Sequence, residues 1–142
     1  TALLMFAYPG IPLIYNGEEV GNNKKLSLFE KVNIDWNKGK EFRDFYTKLA
    51  LLRREHEALR VGAYASLRNT GGPKLYSFVR QTPSDTVIVV LNLSIKPVQA
   101  EIMVPFKKGK LKEFFSSREF QVAGNTIGLT LPAFGYTVIT TQ

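Results

Sequence analysis

The sequence predicts a mainly β chain, in which an antiparallel β-sandwich or barrel follows one strand and one amphipathic helix. The hydrophobic pattern changes its period along the chain: apolar residues recur every three to four positions between residues 42 and 59, and every second position after residue 61. From residue 71 onward, Gly, Pro and Asn interrupt the chain at short intervals. Short strands without intervening helices indicate antiparallel pairing with meander or Greek-key connections.

The composition is that of a folded chain of one medium domain or two small ones. The 142 residues are 44% hydrophobic and 12% aromatic, and 19 Lys and Arg against 12 Asp and Glu give a net charge of +7. These fractions exclude a disordered polyelectrolyte. The absence of cysteine excludes a disulfide framework, a thiolate metal site and a Cys nucleophile, and a single histidine excludes a His-rich metal site.

The longest apolar stretch, residues 3–15, predicts neither a membrane span nor a signal peptide. It is interrupted by Pro9, Gly10 and Pro12, and it is shorter than the roughly 20 residues that a span needs. No basic segment precedes it and no small-x-small cleavage site follows it. We therefore expect no membrane partner and a chain that begins inside a longer protein. The cellular compartment cannot be predicted from this sequence.

The same stretch predicts the first two elements. The segment before Pro9-Gly10 has the pattern of a helix end, and residues 11–15 are apolar on both faces, as in a parallel strand that is buried between helices or inside a barrel. A polar loop through Glu18, Glu19 and residues 22–25 follows. One strand and one helix cannot close a core by themselves, so we expect further chain upstream.

The next element is an amphipathic helix that begins near residue 42. Its apolar stripe, spaced 3, 4, 3, 4, 3, consists of Phe42, Phe45, Leu49, Leu52, His56 and Leu59. The negative charge of Glu41 and the positive charge of Arg60 are those that the helix dipole favours at the N-terminal and C-terminal ends. Gly62 predicts the end of the helix. We assign His56 to packing or solvent contact rather than to catalysis, because no acid or nucleophile is placed to use it.

Seven strands are predicted after the helix, near residues 62–68, 75–81, 86–93, 98–104, 111–116, 126–131 and 135–141. Residues 87–91 are apolar throughout, which predicts a central strand. Residues 98–104 alternate between apolar and polar, which predicts one buried and one exposed face. The change of period places a domain boundary near residues 60–62.

A lysine run in the second half has two interpretations. Lys107, Lys108, Lys110 and Lys112 surround Gly109. A Lys-rich turn between strands protects sheet edges from pairing with other chains, whereas clustered lysines also neutralise phosphates. We favour the first interpretation, because no Arg-rich or RNA-binding motif accompanies the run. No nucleic acid partner is therefore expected.

Residues 10–19, GIPLIYNGEE, resemble the eighth-strand motif of the α-amylase superfamily, glycoside hydrolase family 13. The fixed positions of the pattern Gly-x-Pro-x-x-x-x-Gly-x-Glu are occupied by Gly10, Pro12, Gly17 and Glu19. The remaining similarity covers nearly the whole chain. Residues 34–36 resemble the segment before the family's last barrel helix, residues 45–59 resemble that helix with Glu57 where Pro is usual, and residues 75–94 and 131–136 resemble its C-terminal antiparallel domain.

The resemblance implies that residues 1–60 are the last strand and helix of a catalytic (β/α)8 barrel and that residues 61–142 form the C-terminal Greek-key β-sandwich domain. It implies an α-glucan-active glycosidase or transglycosidase, whose catalytic Asp, Glu and second Asp lie upstream of this chain. Glycoside hydrolysis needs two carboxylates that flank one bond. Glu18 and Glu19 do not meet this need, since adjacent residues on an extended segment point to opposite sides. We therefore predict no catalytic residue and an architectural role.

Glu19 is assigned a structural role, pairing with a base elsewhere in the barrel, rather than a place in the substrate cleft. Trp36, Tyr64 and Tyr76 are candidate sugar contacts, because an aromatic face stacks on a pyranose ring, although packing is the commoner role of such residues. Together with Phe114, Phe115 and Tyr136, the two tyrosines could form a surface glucan site, although most of these aromatics are expected in the core of the sandwich or at its edges. One alternative function is thus a carbohydrate-binding β module, and another is a polyanion-binding domain that uses residues 107–112.

The resemblance also implies the partners: the upstream catalytic barrel of the same polypeptide and an α-glucan substrate. No cofactor is predicted in this chain, and calcium is expected only through upstream residues of the full-length enzyme, since no Asp-x-Asp-x-Asp cluster occurs here. A barrel remnant exposes strand edges. We therefore expect residues 1–25 either to be disordered or to form a strand-exchanged oligomer with another copy.

Overall fold

Helices and strands form three layers in the computed structural model, which describes residues 2–107 and 109–141. The first layer contains three α-helices within the described residues: α1 (Ala2–Ala7), α2 (Lys40–Glu55) and α3 (Glu57–Val61). The second layer is a six-stranded antiparallel sheet and the third is a two-stranded antiparallel sheet. The strands of these two sheets are β1 (Ala63–Ser66), β2 (Leu75–Gln81), β3 (Thr86–Asn92), β4 (Val98–Met103), β5 (Lys110–Glu113), β6 (Glu119–Gln121), β7 (Thr126–Leu131) and β8 (Tyr136–Thr141).

The order of the strands differs from their order in the chain. The larger sheet runs β1-β2-β3-β8-β5-β6, and the smaller sheet pairs β4 with β7. The chain passes from one sheet to the other after β3, β4, β6 and β7, so the last strand lies between β3 and β5. Connections that cross between two sheets are typical of Greek-key sandwiches. The predicted antiparallel sandwich is confirmed, and β6 is one strand that the sequence analysis did not predict.

Strand β3 is buried on both of its faces. Ile88 and Val90 face the smaller sheet and belong to the core between the two sheets. Val87, Val89 and Leu91 face the helices and belong to a second core. The prediction that residues 87–91 form a central strand is therefore confirmed.

The second core joins the helices to the outer face of the larger sheet. Helix α1 contributes Leu3 and Phe6, α2 contributes Leu49 and Leu52, and α3 contributes Leu59. The leucines of α2 and α3 belong to the predicted stripe, and each is fully buried: Leu49, Leu52 and Leu59. Because this core takes side chains from both sides of residue 60, the three helices pack directly on the sandwich. The division into domains 1–60 and 61–142 stays a prediction.

The predicted continuous helix is interrupted at His56. This residue has extended backbone angles (φ −102°, ψ 109°) between α2 and α3. The reason is a long-range contact: the Asp85 carboxylate binds the His56 ring and accepts a hydrogen bond from the backbone N–H of Ala58 in the first turn of α3. A side-chain acceptor for a first-turn N–H starts a new helix. At the other end of the stripe, Phe42 is half-exposed and its ring lies against Gly21.

Residues 11–15 do not form the predicted buried strand. The segment has no strand conformation, and Ile11 and Leu13 are 95% and 76% exposed. A parallel strand exists only through backbone hydrogen bonds to neighbouring strands, and none of the described strands lies beside this segment. The preceding helix end is confirmed by α1, which ends before Pro9-Gly10. Strand exchange with another copy stays a prediction.

Candidate functional site

Three of the four residues of the Gly10–Glu19 motif lie in an irregular loop, and Glu19 lies in the one-turn 3-10 helix Glu18–Val20 that follows it. Gly10 and Gly17 both have positive φ angles, of 130° and 93°. A Cβ on Gly17 would lie 2.9 Å from the Cβ of Asn22, so both its angle and its surroundings require glycine. The Glu19 carboxylate accepts a hydrogen bond from the Gly17 N–H at 3.1 Å, and Pro12 is half-buried. The motif thus closes a tight turn, which gives Glu19 a local structural contact.

The adjacent carboxylates Glu18 and Glu19 bind different groups. Glu18 is exposed, and its Oε2 accepts hydrogen bonds from the Tyr15 N–H at 3.3 Å and from the Tyr46 hydroxyl at 3.5 Å. Burial raises the pKa of Tyr46, and the charge of Glu18 acts in the same direction. The ion pairs of the described residues do not include Glu19, so its pairing with a base in a barrel stays a prediction.

Trp36 lies in the loop before α2 with its indole half exposed. Its carbonyl accepts a hydrogen bond from Arg43 Nη1 at 2.6 Å, and the same guanidinium nitrogen binds the Lys38 carbonyl at 2.8 Å. Asp35 Oδ1 accepts from the Asn37 N–H at 3.1 Å. These contacts hold the loop against α2 and leave part of the ring open to solvent. A sugar contact at Trp36 stays a prediction.

The structure brings the other two candidate sugar contacts together. The hydroxyls of Tyr64 on β1 and Tyr76 on β2 lie 2.9 Å apart. The hydrogen bond to Tyr64, followed by burial, raises the pKa of Tyr76, whereas hydrogen bonds to Ser66 and Tyr76 lower that of Tyr64. Tyr8 packs edge-on against Tyr64 with ring centroids 5.2 Å apart. Both tyrosines are therefore engaged by each other and by the segment that follows α1.

A largely apolar hollow of about 580 Å³ adjoins this tyrosine cluster and is lined by Leu4, Met5, Tyr8, Tyr76 and Leu93. Sugar sites combine aromatic faces with several polar groups that bind hydroxyls. This hollow offers few such groups, so it fits an apolar surface better than an oligosaccharide.

Two arginines hold the end of α1 by hydrogen bonds to its carbonyls. Neither was among the predicted site residues. Arg80 on β2 is only 2% exposed, and it donates to the carbonyls of Ala7 at 3.1 Å and Gly62 at 2.9 Å. Arg53 on α2 donates to the carbonyls of Phe6 and Gly10. Burial lowers the pKa of each arginine, and the charge of Arg53 lowers that of Arg80 further. These contacts fix the chain immediately before the Gly10–Glu19 motif.

The expectation that no acid is placed near His56 is wrong. Asp85, in the turn between β2 and β3, lies 2.9 Å from His56 Nδ1. The two carboxylate oxygens bind the ring and the Ala58 N–H, so the aspartate links the β2–β3 turn to the start of α3. The contacts of this pair are those of a helix cap, and packing remains the assignment of His56.

Replacing Asp85 by alanine is expected to lower the free energy of unfolding by about 1–2 kcal/mol, because the Ala58 N–H loses its acceptor and the His56 ring loses its partner. Urea denaturation followed by circular dichroism measures the loss. Asp85→Asn is the matched control, since its amide oxygen can replace one carboxylate oxygen, and it should lose less. Equal stability of the alanine variant and the unchanged chain would contradict the assignment.

The lysine run lies partly outside the described residues. Lys110 and Lys112 lie on β5, whereas Lys108 is outside them. Strand β5 is an inner strand between β8 and β6, and β6 forms the edge of the larger sheet. Lys110 and Lys112 therefore lie next to the edge strand rather than on it. A polyanion site over residues 107–112 stays a prediction.

No cluster of three or more His, Asp or Glu side chains that could hold a metal ion occurs in residues 2–107 and 109–141. Over the same described ranges, every helix is too short or too polar to cross a membrane.

Comparison with known proteins identifies relatives of this chain. The profile of the family described as maltogenic amylase, C-terminal domain, matches residues 65–138. A cyclomaltodextrinase of Thermoanaerobacter pseudethanolicus is 32% identical over 130 residues, covering 89% of this chain and 22% of that protein. Alpha-amylase 2 of Dictyoglomus thermophilum is 28% identical over 108 residues, covering 68% of this chain and 18% of that protein. The chain spans about a fifth of the length of these relatives, 22% and 18% respectively.

Solved structures share the fold over nearly the whole chain. An Anoxybacillus α-amylase has a TM-score of 0.85 and 21% identity, covering 98% of this chain and 30% of that one. The α-amylase of Geobacillus thermoleovorans complexed with acarbose has a TM-score of 0.84 and 22% identity, covering 99% and 32%. Since the family profile matches just over half of the chain, this chain belongs to the family of maltogenic amylase C-terminal domains, within the α-amylase superfamily.

Proposed function

We propose that this chain is the C-terminal part of an α-glucan-active glycosidase or transglycosidase, and that its role in that enzyme is architectural. Residues 1–60 belong to the end of the catalytic barrel and residues 61–142 form the C-terminal domain. The proposal assigns no cofactor to this chain and leaves any calcium site to upstream residues. The names of the relatives, which include cyclomaltodextrinases, an α-amylase and an amylopullulanase, support an α-glucan substrate.

The observation that carries the proposal is an exposed apolar segment on a rigid support. Ile11, Leu13 and Tyr15 project into solvent from the Gly10–Glu19 motif. The chain just before this segment is held by Arg53 and Arg80, and α1 is packed in the second core. Apolar side chains in such number at one exposed site mark an interaction surface. The chain matches only 22% and 18% of the length of two relatives. The remaining part of such a protein can supply a domain that covers this exposed segment.

The acidic residues support an inert role for the chain alone. A retaining glycosidase needs two free carboxylates about 5–5.5 Å apart in a cleft. The buried Glu113 and the half-buried Asp85 both accept hydrogen bonds from backbone N–H groups, and they also bind Ser116 and His56 respectively. The adjacent pair Glu18 and Glu19 binds its own loop. Catalysis is therefore assigned to residues of the upstream part.

The test is a paired assay on the purified chain: reducing-sugar release from starch and pullulan, and calorimetric titration of maltoheptaose. We expect no turnover. A double variant, Glu18→Gln with Glu19→Gln, is the control for trace contamination. Turnover that the double variant abolishes would overturn the proposal, whereas release that is equal in both samples comes from a contaminant and not from this chain.

A further inference from the structure

The smaller sheet has two edges, and one of them is covered by another part of the chain. The sheet consists of β4 and β7 alone. Residues 68–70 run along the outer edge of β4, where the Met103 N–H donates to the Arg68 carbonyl at 2.9 Å. The Glu101 carbonyl accepts from the Thr70 N–H at 3.0 Å, and the Glu101 N–H donates to Thr70 Oγ1 at 2.9 Å. The second edge of the sheet is the outer edge of β7.

The same hydrogen bonds show which backbone groups of β7 point outward. Successive residues of a strand turn their N–H and C=O groups to opposite sides, and two residues directly opposite each other either bond to each other or both turn away. Both groups of Glu101 point away from β7, and Glu101 lies opposite Gly128. The groups of Gly128 therefore point away from β4, and so do those of Thr130, two residues further on. The hydrogen bonds of the described residues leave these outward groups without a partner, whereas Thr126 bonds to Ala123.

The outer edge of β7 is accessible, and it lacks the features that normally protect an edge. Gly128 and Thr130 are exposed, and a Cβ on Gly128 would have no atom within 4 Å. Natural edge strands are short, or carry a charge, a proline or a bulge, which prevents pairing with other chains. Strand β7 has six residues without charge or proline, and it pairs with β4 without a bulge. The edge strands of the larger sheet, β1 and β6, have only four and three residues.

A second copy of β7 satisfies all the outward groups of the strand. In an antiparallel pair about a two-fold axis at Leu129, the Gly128 N–H of one copy meets the Thr130 carbonyl of the other, and the Gly128 carbonyl meets the Thr130 N–H. The two-fold axis repeats both contacts with the copies exchanged. The outward side chains of the two strands put no like charges opposite each other, since they are threonine and glycine.

The charged side chains beside this edge are complementary about the same axis. Glu101 and Arg118 line one hollow of about 630 Å³ with Gly128 and Thr130. Both are exposed, and neither belongs to an ion pair of the described residues. Glu101 lies beside Gly128 on β4, whereas Arg118 also lines a groove that contains Thr130 but not Gly128. Because the axis places Gly128 opposite Thr130 of the second copy, the Glu101 carboxylate of one copy approaches the Arg118 guanidinium of the other.

We propose that two copies of this chain associate through β7, which pairs with β7 of the second copy about a two-fold axis at Leu129. The two smaller sheets then form one continuous four-stranded sheet. Backbone groups of Gly128 and Thr130 supply the pairing, and the contact of Glu101 with Arg118 selects the register. The interface is small, so the association is weak and reversible. It differs from strand exchange by residues 1–25 and does not rest on the architectural proposal.

The first test is sedimentation equilibrium of the full chain at concentrations up to about 1 mM. We expect a monomer–dimer equilibrium. Gly128→Pro removes an outward N–H and leaves the bonds between β4 and β7 in place, so the dissociation constant should rise about tenfold or more. Gly128→Ala is the matched control. It keeps the N–H and adds a Cβ in open space, so it should leave the dissociation constant unchanged.

The second test reverses the charges beside the edge. Glu101→Arg alone and Arg118→Glu alone each place like charges together across the axis, so each should raise the dissociation constant about tenfold. A mixture of the two single variants restores both contacts and should associate as the unchanged chain does. Lys48→Glu, on the exposed face of α2, makes the same change of charge away from β7 and should have no effect.

Amide hydrogen exchange locates the interface. The amides of Gly128 and Thr130 should exchange several times more slowly at about 1 mM than at high dilution, whereas those of Ile127 and Leu129, which face β4, should be protected at every concentration. A chain that stays monomeric at about 1 mM would overturn the proposal. So would a dimer that Gly128→Pro leaves intact, or one whose exchange slows only in residues 1–25. A mixture of the charge-reversed chains that fails to associate would overturn the two-fold register.

Discussion

Replacing Arg80 by methionine is expected to lower the free energy of unfolding by about 3 kcal/mol, since one buried and one part-buried carbonyl lose their donor. The guanidinium binds the carbonyl of Ala7, the last residue of α1, and that of Gly62, just before β1. Methionine keeps most of the volume but offers no N–H group. The Ala7 carbonyl would then be left without a donor in a region where both Ala7 and Arg80 are almost fully buried.

The same variant should release α1 before the sandwich unfolds. Arg80 is one of two side chains that hold the end of α1, and Arg53 binds the adjacent carbonyls of Phe6 and Gly10. Hydrogen exchange should therefore become faster in residues 2–8 while β3 keeps its protection. Urea denaturation measures the global loss. Exposed Arg54→Met on α2 is the matched control and should change stability by less than about 0.5 kcal/mol. An Arg80→Met chain as stable as this control would contradict the prediction.

Most of the β architecture is predictable from the sequence, because burial follows the period of two. Residues 87–91 carry no polar side chain, which is the pattern expected of a strand between two cores. Alternation over residues 98–104 likewise matches β4, where Ala100 and Ile102 are buried and Glu101 is exposed. Strand β6 was missed because its three residues, Glu119–Gln121, are too short to show a period.

Contacts between distant residues are what the sequence could not provide. The break at His56 depends on Asp85, which is 29 residues away, and nothing in the helical stripe indicates an interruption. Residues 11–15 have the pattern of a buried strand, but backbone pairing requires neighbouring strands that the described structure does not contain. Local periodicity identifies an element's faces, whereas its hydrogen-bond partners are set by the rest of the fold.

The pattern of β2 nevertheless indicates that Arg80 is buried and needs hydrogen-bond acceptors. In a strand, residues two positions apart share a face, and β2 places Tyr76, Phe78 and Arg80 on the face that meets the helices. A cation on the same buried face as a phenylalanine requires acceptors, and the ends of helices are the usual source of free carbonyls. The contact between the candidate sugar contacts Tyr64 and Tyr76 has no such signal, since the register of β1 and β2 places Tyr64 opposite Arg80 and not opposite Tyr76.

Phe78 should be the most costly single truncation in the second core. Its side chain is fully buried, and its ring centroid lies 5.5 Å from that of Tyr64, 5.6 Å from that of Tyr76 and 6.1 Å from that of Tyr8. Phe78→Ala is expected to lower the free energy of unfolding by about 3–5 kcal/mol, because it removes buried ring surface and leaves a cavity under three aromatic neighbours. Thermal and urea denaturation measure the loss.

The control is Phe29→Ala, which removes the same atoms from a side chain that is 97% exposed, and it should cost less than about 0.5 kcal/mol. Phe78→Leu keeps part of the volume and should fall between the two. The hydroxyls of Tyr64 and Tyr76 give a second readout. Once the Phe78 ring is lost, the two tyrosines can reorient. Their hydroxyl protons should then exchange with solvent faster. Equal losses for Phe78→Ala and Phe29→Ala would mean that the helices and the larger sheet do not share the core on which the architectural role depends.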